Sequence, residues 1–239
     1  MGKWLTLECV LYTGNAPPII PVKSPVRNCH GPHGSISDGL HAYAVPIAPQ
    51  PGKARKMGKN ILVLTGSPRK NGNSETLAAS FIKGAESKGH AVTVFNAAAK
   101  IVQGCRACNA CWSKGEACVF DDGFRDLAPL LAEADALVIV SPLYWFTFTA
   151  QIKAALDKFY SFMVPASPQP LKLKESVLLM TAEDTRPEAY TGAVGSYKEI
   201  CNYLELADRG IITVLGVNKV GDIAGNKALA EAERLGASL

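Results

Sequence analysis

Asn60-Ile61-Leu62-Val63-Leu64-Thr65 runs into Gly66-Ser67-Pro68-Arg69-Lys70-Asn71-Gly72-Asn73-Ser74-Glu75-Thr76, and Leu77, Phe81 and Ala85 then recur at helical spacing. An apolar run, a glycine-rich turn and an amphipathic segment read as strand, turn and helix. A turn of Gly, Ser, Asn and Thr at a helix start offers free backbone N–H groups, hydroxyls and the positive end of the helix dipole, which together suit a phosphate. The competing reading makes Asn73 or Ser74 a helix cap and the glycines mere turn residues. The stretch is not a Walker loop, since no Gly-Lys-Ser/Thr follows at the required spacing, and it lacks the three spaced glycines of the dinucleotide fingerprint. What remains is a cap or a site for a phosphate monoester held mostly by neutral donors, with Arg69 as a charged one.

Outward from this stretch the pattern repeats. Ala91 to Phe95 reads as a second strand after Gly89-His90, Asp122 to Glu133 as a helix, and Ala136 to Val140 as a buried parallel strand. A helix over Thr149 to Met163 follows, then a strand over Glu175 to Ala182, a helix over Ala193 to Glu205, a strand over Ile211 to Leu215 and a closing helix over Asn226 to Leu235. Five strands alternating with helices imply an α/β fold, a doubly wound parallel sheet in the flavodoxin-like order 2-1-3-4-5 with helices on both faces. In that order the loops after the first and third strands face each other where the winding reverses, and ligands bind there.

The loop after the third strand is Ser141-Pro142-Leu143-Tyr144-Trp145-Phe146-Thr147-Phe148. Aromatics at a strand end suit a flat conjugated ring, although Phe146 and Phe148 fit equally well as a core plug. A phosphate monoester joined to a flat ring describes FMN. The motifs Gly-Ser-Pro-Arg with Gly-Asn-Ser, and Ser-Pro-Leu-Tyr-Trp-Phe with Gln151-Ile152-Lys153 and Leu156-Asp157-Lys158, resemble the flavodoxin-like NAD(P)H-dependent FMN reductase family. The resemblance runs from about Lys59 to the C-terminus, including Gly221-Asp222-Ile223. It implies that Ser67, Arg69, Asn73, Ser74 and Thr76 hold the FMN phosphate, and that Pro142, Leu143, Tyr144 and Trp145 line the isoalloxazine. The loop Thr181 to Asp184 would approach the other edge of the ring. Lys153 and Asp157 read as an ordinary solvated helix pair.

Four cysteines, Cys105, Cys108, Cys111 and Cys118, follow the spacing Cys-x2-Cys-x2-Cys-x6-Cys. Two-residue spacings let neighbouring thiolates converge on one centre. An iron-sulfur cluster, a zinc site and free thiols are all open on spacing alone. The spacing is similar to the compact motif of the iron-sulfur flavoproteins, a branch of the same family that carries a [4Fe–4S] cluster. It departs from the ferredoxin run in its longer last gap and in Val119 where proline would follow. Because the segment follows the second strand, the thiols are expected on the same rim as the flavin, within electron-transfer reach inside one subunit or across a dimer interface. Cys9, Cys29 and Cys201 have no partners at such spacing and read as structural or incidental.

Residues 1–56 lie outside the resemblance. Residues 1–59 hold eight of the 15 prolines and three of the four histidines, so an irregular or disordered extension is expected ahead of an FMN-binding domain over 57–239, with Met57 a candidate natural start. The net charge of +4 is concentrated here: residues 1–59 carry seven Lys/Arg against Glu8 and Asp38, whereas 60–239 carry 18 against 19 Asp/Glu. A nearly neutral catalytic part gives no argument for nucleic acid. No apolar run approaches a membrane span, Glu8 interrupts the one candidate signal segment, and the thiols suit a reducing cytoplasm.

The expected function is an FMN-dependent oxidoreductase that passes electrons from NAD(P)H, or through a cluster, to a small acceptor such as a quinone, flavin or nitro compound. The cofactor carries that chemistry, so no catalytic side chain is expected. The alternative is a non-catalytic flavodoxin-like carrier that serves a redox protein partner; a third reading is a structural zinc site beside an empty fold. The resemblance implies a homodimer or higher.

Overall fold

The computed structural model describes residues 58–163 and 170–239. The extension over 1–56, Met57, Cys9 and Cys29 lie outside the described residues. Five strands, β1 (Asn60–Thr65), β2 (Ala91–Asn96), β3 (Ala136–Pro142), β4 (Glu175–Thr181) and β5 (Ala207–Val214), form one sheet. All pairs are parallel and the order is β2-β1-β3-β4-β5, as expected.

The alternation of side chains along the central strands builds two cores from continuous apolar runs. Leu62, Leu64, Leu137, Ile139, Leu178 and Met180 face one layer. It is filled by α3 (Phe124–Glu133), α4 (Ala150–Asp157) and α5 (Thr191–Tyr203). Ile61, Val63, Val138, Val140, Val177 and Leu179 face the other, under α1 (Asn73–Ser87) and α6 (Lys227–Ala237). Cys201 is buried in the first layer, the structural place read for it. Among the described residues no helix is long and apolar enough to cross a membrane.

Three elements differ from the sequence reading. β5 begins at Ala207, because the polar stretch Ala207-Asp208-Arg209-Gly210 pairs with β4 along an exposed edge where no apolar run marks it. The expected helix over Thr149 to Met163 stops at Asp157 and continues as a 3-10 segment, Lys158–Met163. A short helix, α2 (Ala110–Lys114), lies inside the cysteine segment between Asn109 and Gly115, both at positive φ. Its five residues are too few for a helical period to announce it.

Candidate functional site

The loops after β1 and β3 meet, as the winding reversal requires, and the Gly66 N–H donates to the Val140 carbonyl at 3.0 Å. Between them opens a pocket of about 300 Å³ lined by Ser67, Arg69, Gly72, Asn73, Ser74, Pro142, Leu143, Tyr144 and Trp145. Thr181, Ala182 and Glu183 close it from β4, and Val217, Asn218 and Val220 from the loop after β5. The volume is at the lower end for a small-molecule site.

On the phosphate side, Gly72 stands at the N-cap of α1, and no side chain caps the helix. Asn73 and Ser74 are the first two residues inside the helix, so the capping reading fails and the first-turn N–H groups are open to a ligand. A Cβ on Gly72 would lie 3.2 Å from the Arg69 carbonyl and 3.5 Å from Ser67 Oγ, so a side chain there would need the loop to give by a few tenths of an ångström. Ser67 Oγ accepts from the Arg69 N–H at 3.2 Å. Ser74 Oγ pairs with Thr181 Oγ1 at 2.8 Å beneath the pocket.

Two of the expected phosphate residues also brace the walls. Arg69 Nη1 donates to the Asn218 carbonyl at 2.6 Å, leaving further donors of its guanidinium available. Asn73 Nδ2 donates to the Lys219 carbonyl at 2.9 Å, and its Oδ1 accepts from the Ile223 N–H at 3.3 Å. Thr76 turns away: its hydroxyl returns to the Gly72 carbonyl at 3.2 Å and does not line the pocket.

On the aromatic side, Tyr144 and Thr147 exchange N–H···O bonds at 3.1 Å, closing a two-residue turn around Trp145 and Phe146. Both central residues have positive φ, 47° and 64°. That conformation costs a non-glycine residue about 1–2 kcal/mol, and strain of this kind concentrates at functional sites. Gly192 in the first turn of α5 permits it, since a Cβ there would lie 2.9 Å from the Phe146 carbonyl. The turn holds the Trp145 indole 92% exposed at the mouth of the pocket. Phe148 is the expected core plug, whereas Phe146 is exposed.

The β4 loop divides in two. Glu183 reaches the pocket, but Asp184 turns to Arg186, whose guanidinium hydrogen bonds hold its carboxyl near 2. The loop after β5 was missed in the sequence apart from Gly221-Asp222-Ile223. Asp222 Oδ2 shapes it by accepting from the N–H groups of Asn218 at 2.9 Å and Lys219 at 2.7 Å, and these bonds lower its pKa. Its position beyond the end of β5 was the available signal, because every strand end from β1 to β5 except β2 contributes to the pocket. Lys153 and Asp157 form the expected exposed pair on α4.

The four cysteines line a second, smaller cavity of about 30 Å³, together with Ala117, Phe120, Lys158, Tyr160 and Ser161. They are not drawn into ligand positions: among the described residues no group of three or more His, Cys, Asp or Glu is arranged to hold a metal ion. Burial pushes the Cys111 thiol up, with the neighbouring Cys118 and Cys105 adding to the rise. Nor do the thiols share the rim with the first pocket. Ala97 to Gly104 run along the flank of α4 beside Ala150, Gln151, Ala154 and Asp157, carrying the cysteines to the far end of that helix. The eight residues of α4 span about 12 Å, so the expectation of one rim is corrected by the length of this connection.

Residues 59–189 match the family model described as NADPH-dependent FMN reductase. An iron-sulfur flavoprotein from Archaeoglobus fulgidus is 31% identical over 182 residues, covering 74% of this chain and 76% of that relative. One from Methanosarcina thermophila is 30% identical over 98 residues, which are 41% of this chain and 51% of that protein, about half its length. In fold, the chain is similar to an NAD(P)H:quinone oxidoreductase from Methanothermobacter marburgensis, with a TM-score of 0.61 at 17% identity over 76% of this chain and 96% of that one. The chain belongs to the NADPH-dependent FMN reductase family, in its iron-sulfur flavoprotein branch, and is a flavin-dependent oxidoreductase.

Proposed function

We propose that the chain binds FMN in the pocket between the β1 and β3 loops and passes electrons from NAD(P)H to a small acceptor of the quinone, flavin or nitro class. The observation that carries this reading is the joining of an uncapped helix start and an aromatic turn across one pocket. Ser67, Ser74 and the first-turn N–H groups of α1 would hold the phosphate, with Arg69 adding charge. The remaining wall, Pro142 to Trp145 opposite Ala182 and Glu183, would hold the ring. Bound there, FMN supplies two-electron chemistry toward a nicotinamide and one- or two-electron chemistry toward the acceptor.

The protein's part is to orient the ring and leave one edge open. The braces from Arg69 and Asn73 to the β5 loop fix the pocket's width, and the strained turn keeps Trp145 at the open mouth, where an incoming flat molecule must pass. No side chain in the pocket is required to carry a proton, so exchange with solvent at the open edge suffices.

Cys105, Cys108, Cys111 and Cys118 would hold a [4Fe–4S] cluster. Their fit rests on the donor set: four thiols line one cavity, with no imidazole or carboxylate among its described lining residues. Such a cluster supplies single-electron transfer. Free thiols at all five described cysteines suit a reducing cytoplasm. Anaerobic NADPH oxidation by the flavin-loaded protein tests the reading: turnover with a quinone or nitro acceptor is expected. No turnover with any acceptor, alongside reversible reduction by a redox protein, would replace it with the electron-carrier reading.

A further inference from the structure

Lys158 is the one charged residue that is buried as a whole residue among those described. It bonds Asp122, and both side chains are only 2% exposed. A buried ion pair is a weak source of stability, since desolvation commonly cancels its attraction and an apolar pair of the same volume does as well or better. Its presence therefore needs another reason, and its surroundings suggest one.

Asp122 accepts three bonds. Oδ2 takes the Lys158 ammonium and the Gln103 N–H at 3.0 Å, and Oδ1 takes the Phe124 N–H at 2.9 Å. Gln103 lies just ahead of Cys105, and Asp122 just beyond Cys118. One carboxylate thus ties together both ends of the cysteine stretch, and the Gly123 N–H bond to the Ile101 carbonyl at 2.8 Å closes the same base. The three bonds outweigh the upward push of burial and hold the Asp122 carboxyl below its ordinary range.

The pair is also placed. Lys158 lines the cavity that the four thiols line, and Asp122 does not, so the lysine is the member of the pair beside the sulfurs, with its ammonium buried behind the wall on Asp122. A second, uncharged attachment lies beside it: Trp112, in α2 next to Cys111, stacks on Tyr160 at 5.1 Å and donates to its carbonyl at 3.3 Å. Lys158 stands where α4 becomes the 3-10 segment. The helix that starts in the aromatic loop therefore ends at the thiols.

We propose that Asp122 and Lys158 act as a positioning pair for the cysteine site: Asp122 clasps the loop shut, and Lys158 supplies the counter-charge for the thiolates. Four thiolates around a [4Fe–4S] core carry net negative charge, which a buried ammonium at the cavity wall offsets. The counter-charge half rests on the cluster reading given above; the clasp half does not.

The test compares wild type with Asp122→Asn, Lys158→Met, Lys158→Arg and the double variant D122N/K158M, which leaves no buried charge unpaired. In the iron-free protein Cys105 and Cys108 are exposed and react freely, whereas modification of the half-buried Cys111 and Cys118 by Ellman's reagent is expected to be faster by more than about tenfold in Asp122→Asn, since loss of a buried partner favours local opening. FMN content, read as a check on folding, stays at the wild-type level. Wild-type rates in both Asp122→Asn and the double variant would overturn the clasp. After anaerobic reconstitution, the cluster in Lys158→Met is expected to be reduced at a more negative potential, with Lys158→Arg restoring the wild-type value. An unchanged potential in Lys158→Met and the double variant would overturn the counter-charge. If wild type takes up no iron, the cluster reading and the counter-charge fall together, while the thiol rates still decide the clasp.

Discussion

The pocket at the strand ends and the cavity at the end of α4 are built by opposite means. The pocket is assembled mostly from neutral donors and backbone, with Arg69 and Glu183 as its charged members and its walls fixed by strands β1, β3 and β4 and by bonds that cross it. The cysteine cavity lies in a long connection between β2 and α3 that has five residues of helix, and a buried charge pair anchors it. The pocket is a property of the fold, whereas the cavity is an addition hung on one helix. That difference predicts that each can be damaged without the other.

The largest expected effect is at the cysteines themselves. Cys105→Ala removes one of four thiols, and should abolish the broad iron absorption while leaving the two flavin bands intact; loss of both together would contradict the separation. Next comes Gly66→Val, at the buried start of the loop that carries the pocket's phosphate side. A Cβ there would lie 2.3 Å from Ile152 Cγ1 and 2.4 Å from Thr149 Oγ1. Overpacking of this kind costs about 3 kcal/mol, so a lowered melting temperature and loss of bound FMN on gel filtration are expected.

Acid sharpens the contrast through Asp122. Its folded pKa lies below the unfolded value of 3.8, so the stability it contributes is complete above that value and is lost as pH falls through the folded pKa. Hydrogen exchange should therefore show the cysteine segment opening below about pH 4 before the phosphate cradle at the start of α1 does, because the hydroxyls, amide and N–H groups of the cradle do not ionise in that range. The smallest effect is at the aromatic turn. Trp145→Gly relieves about 1–2 kcal/mol of positive-φ strain, partly offset by the entropy of glycine in the unfolded chain. Stability should be unchanged or slightly higher, while the KM for an aromatic acceptor rises.

The same contrast decides what the sequence could reveal. Strands β1, β3 and β4 are buried on both faces, so each is a continuous apolar run that only a parallel sheet explains, and from their order the facing loops follow. Residues Ser67 to Ser74 and Pro142 to Trp145 were legible because they sit at the ends of those runs. Asn218 and Val220 were not, since β5 is an edge strand and its loop is shaped by one carboxylate, Asp222, rather than by a motif. Lys158 looked like a helix residue next to Asp157; only the 3-10 tightening after α4 turns it inward onto Asp122. The distance of the thiols from the pocket was hidden for a similar reason, because the path of a connection without apolar periodicity is set by what it packs against.

The central claim is that one chain carries a flavin pocket and, apart from it, a four-thiol cluster site. The most direct test is the visible spectrum of anaerobically purified protein, with FMN, iron and sulfide counted per chain. The account predicts one FMN, with four iron and four sulfide under a broad shoulder across the flavin bands. Flavin bands without iron would remove the cluster, and a chain that yields no FMN on denaturation would contradict the account at its root.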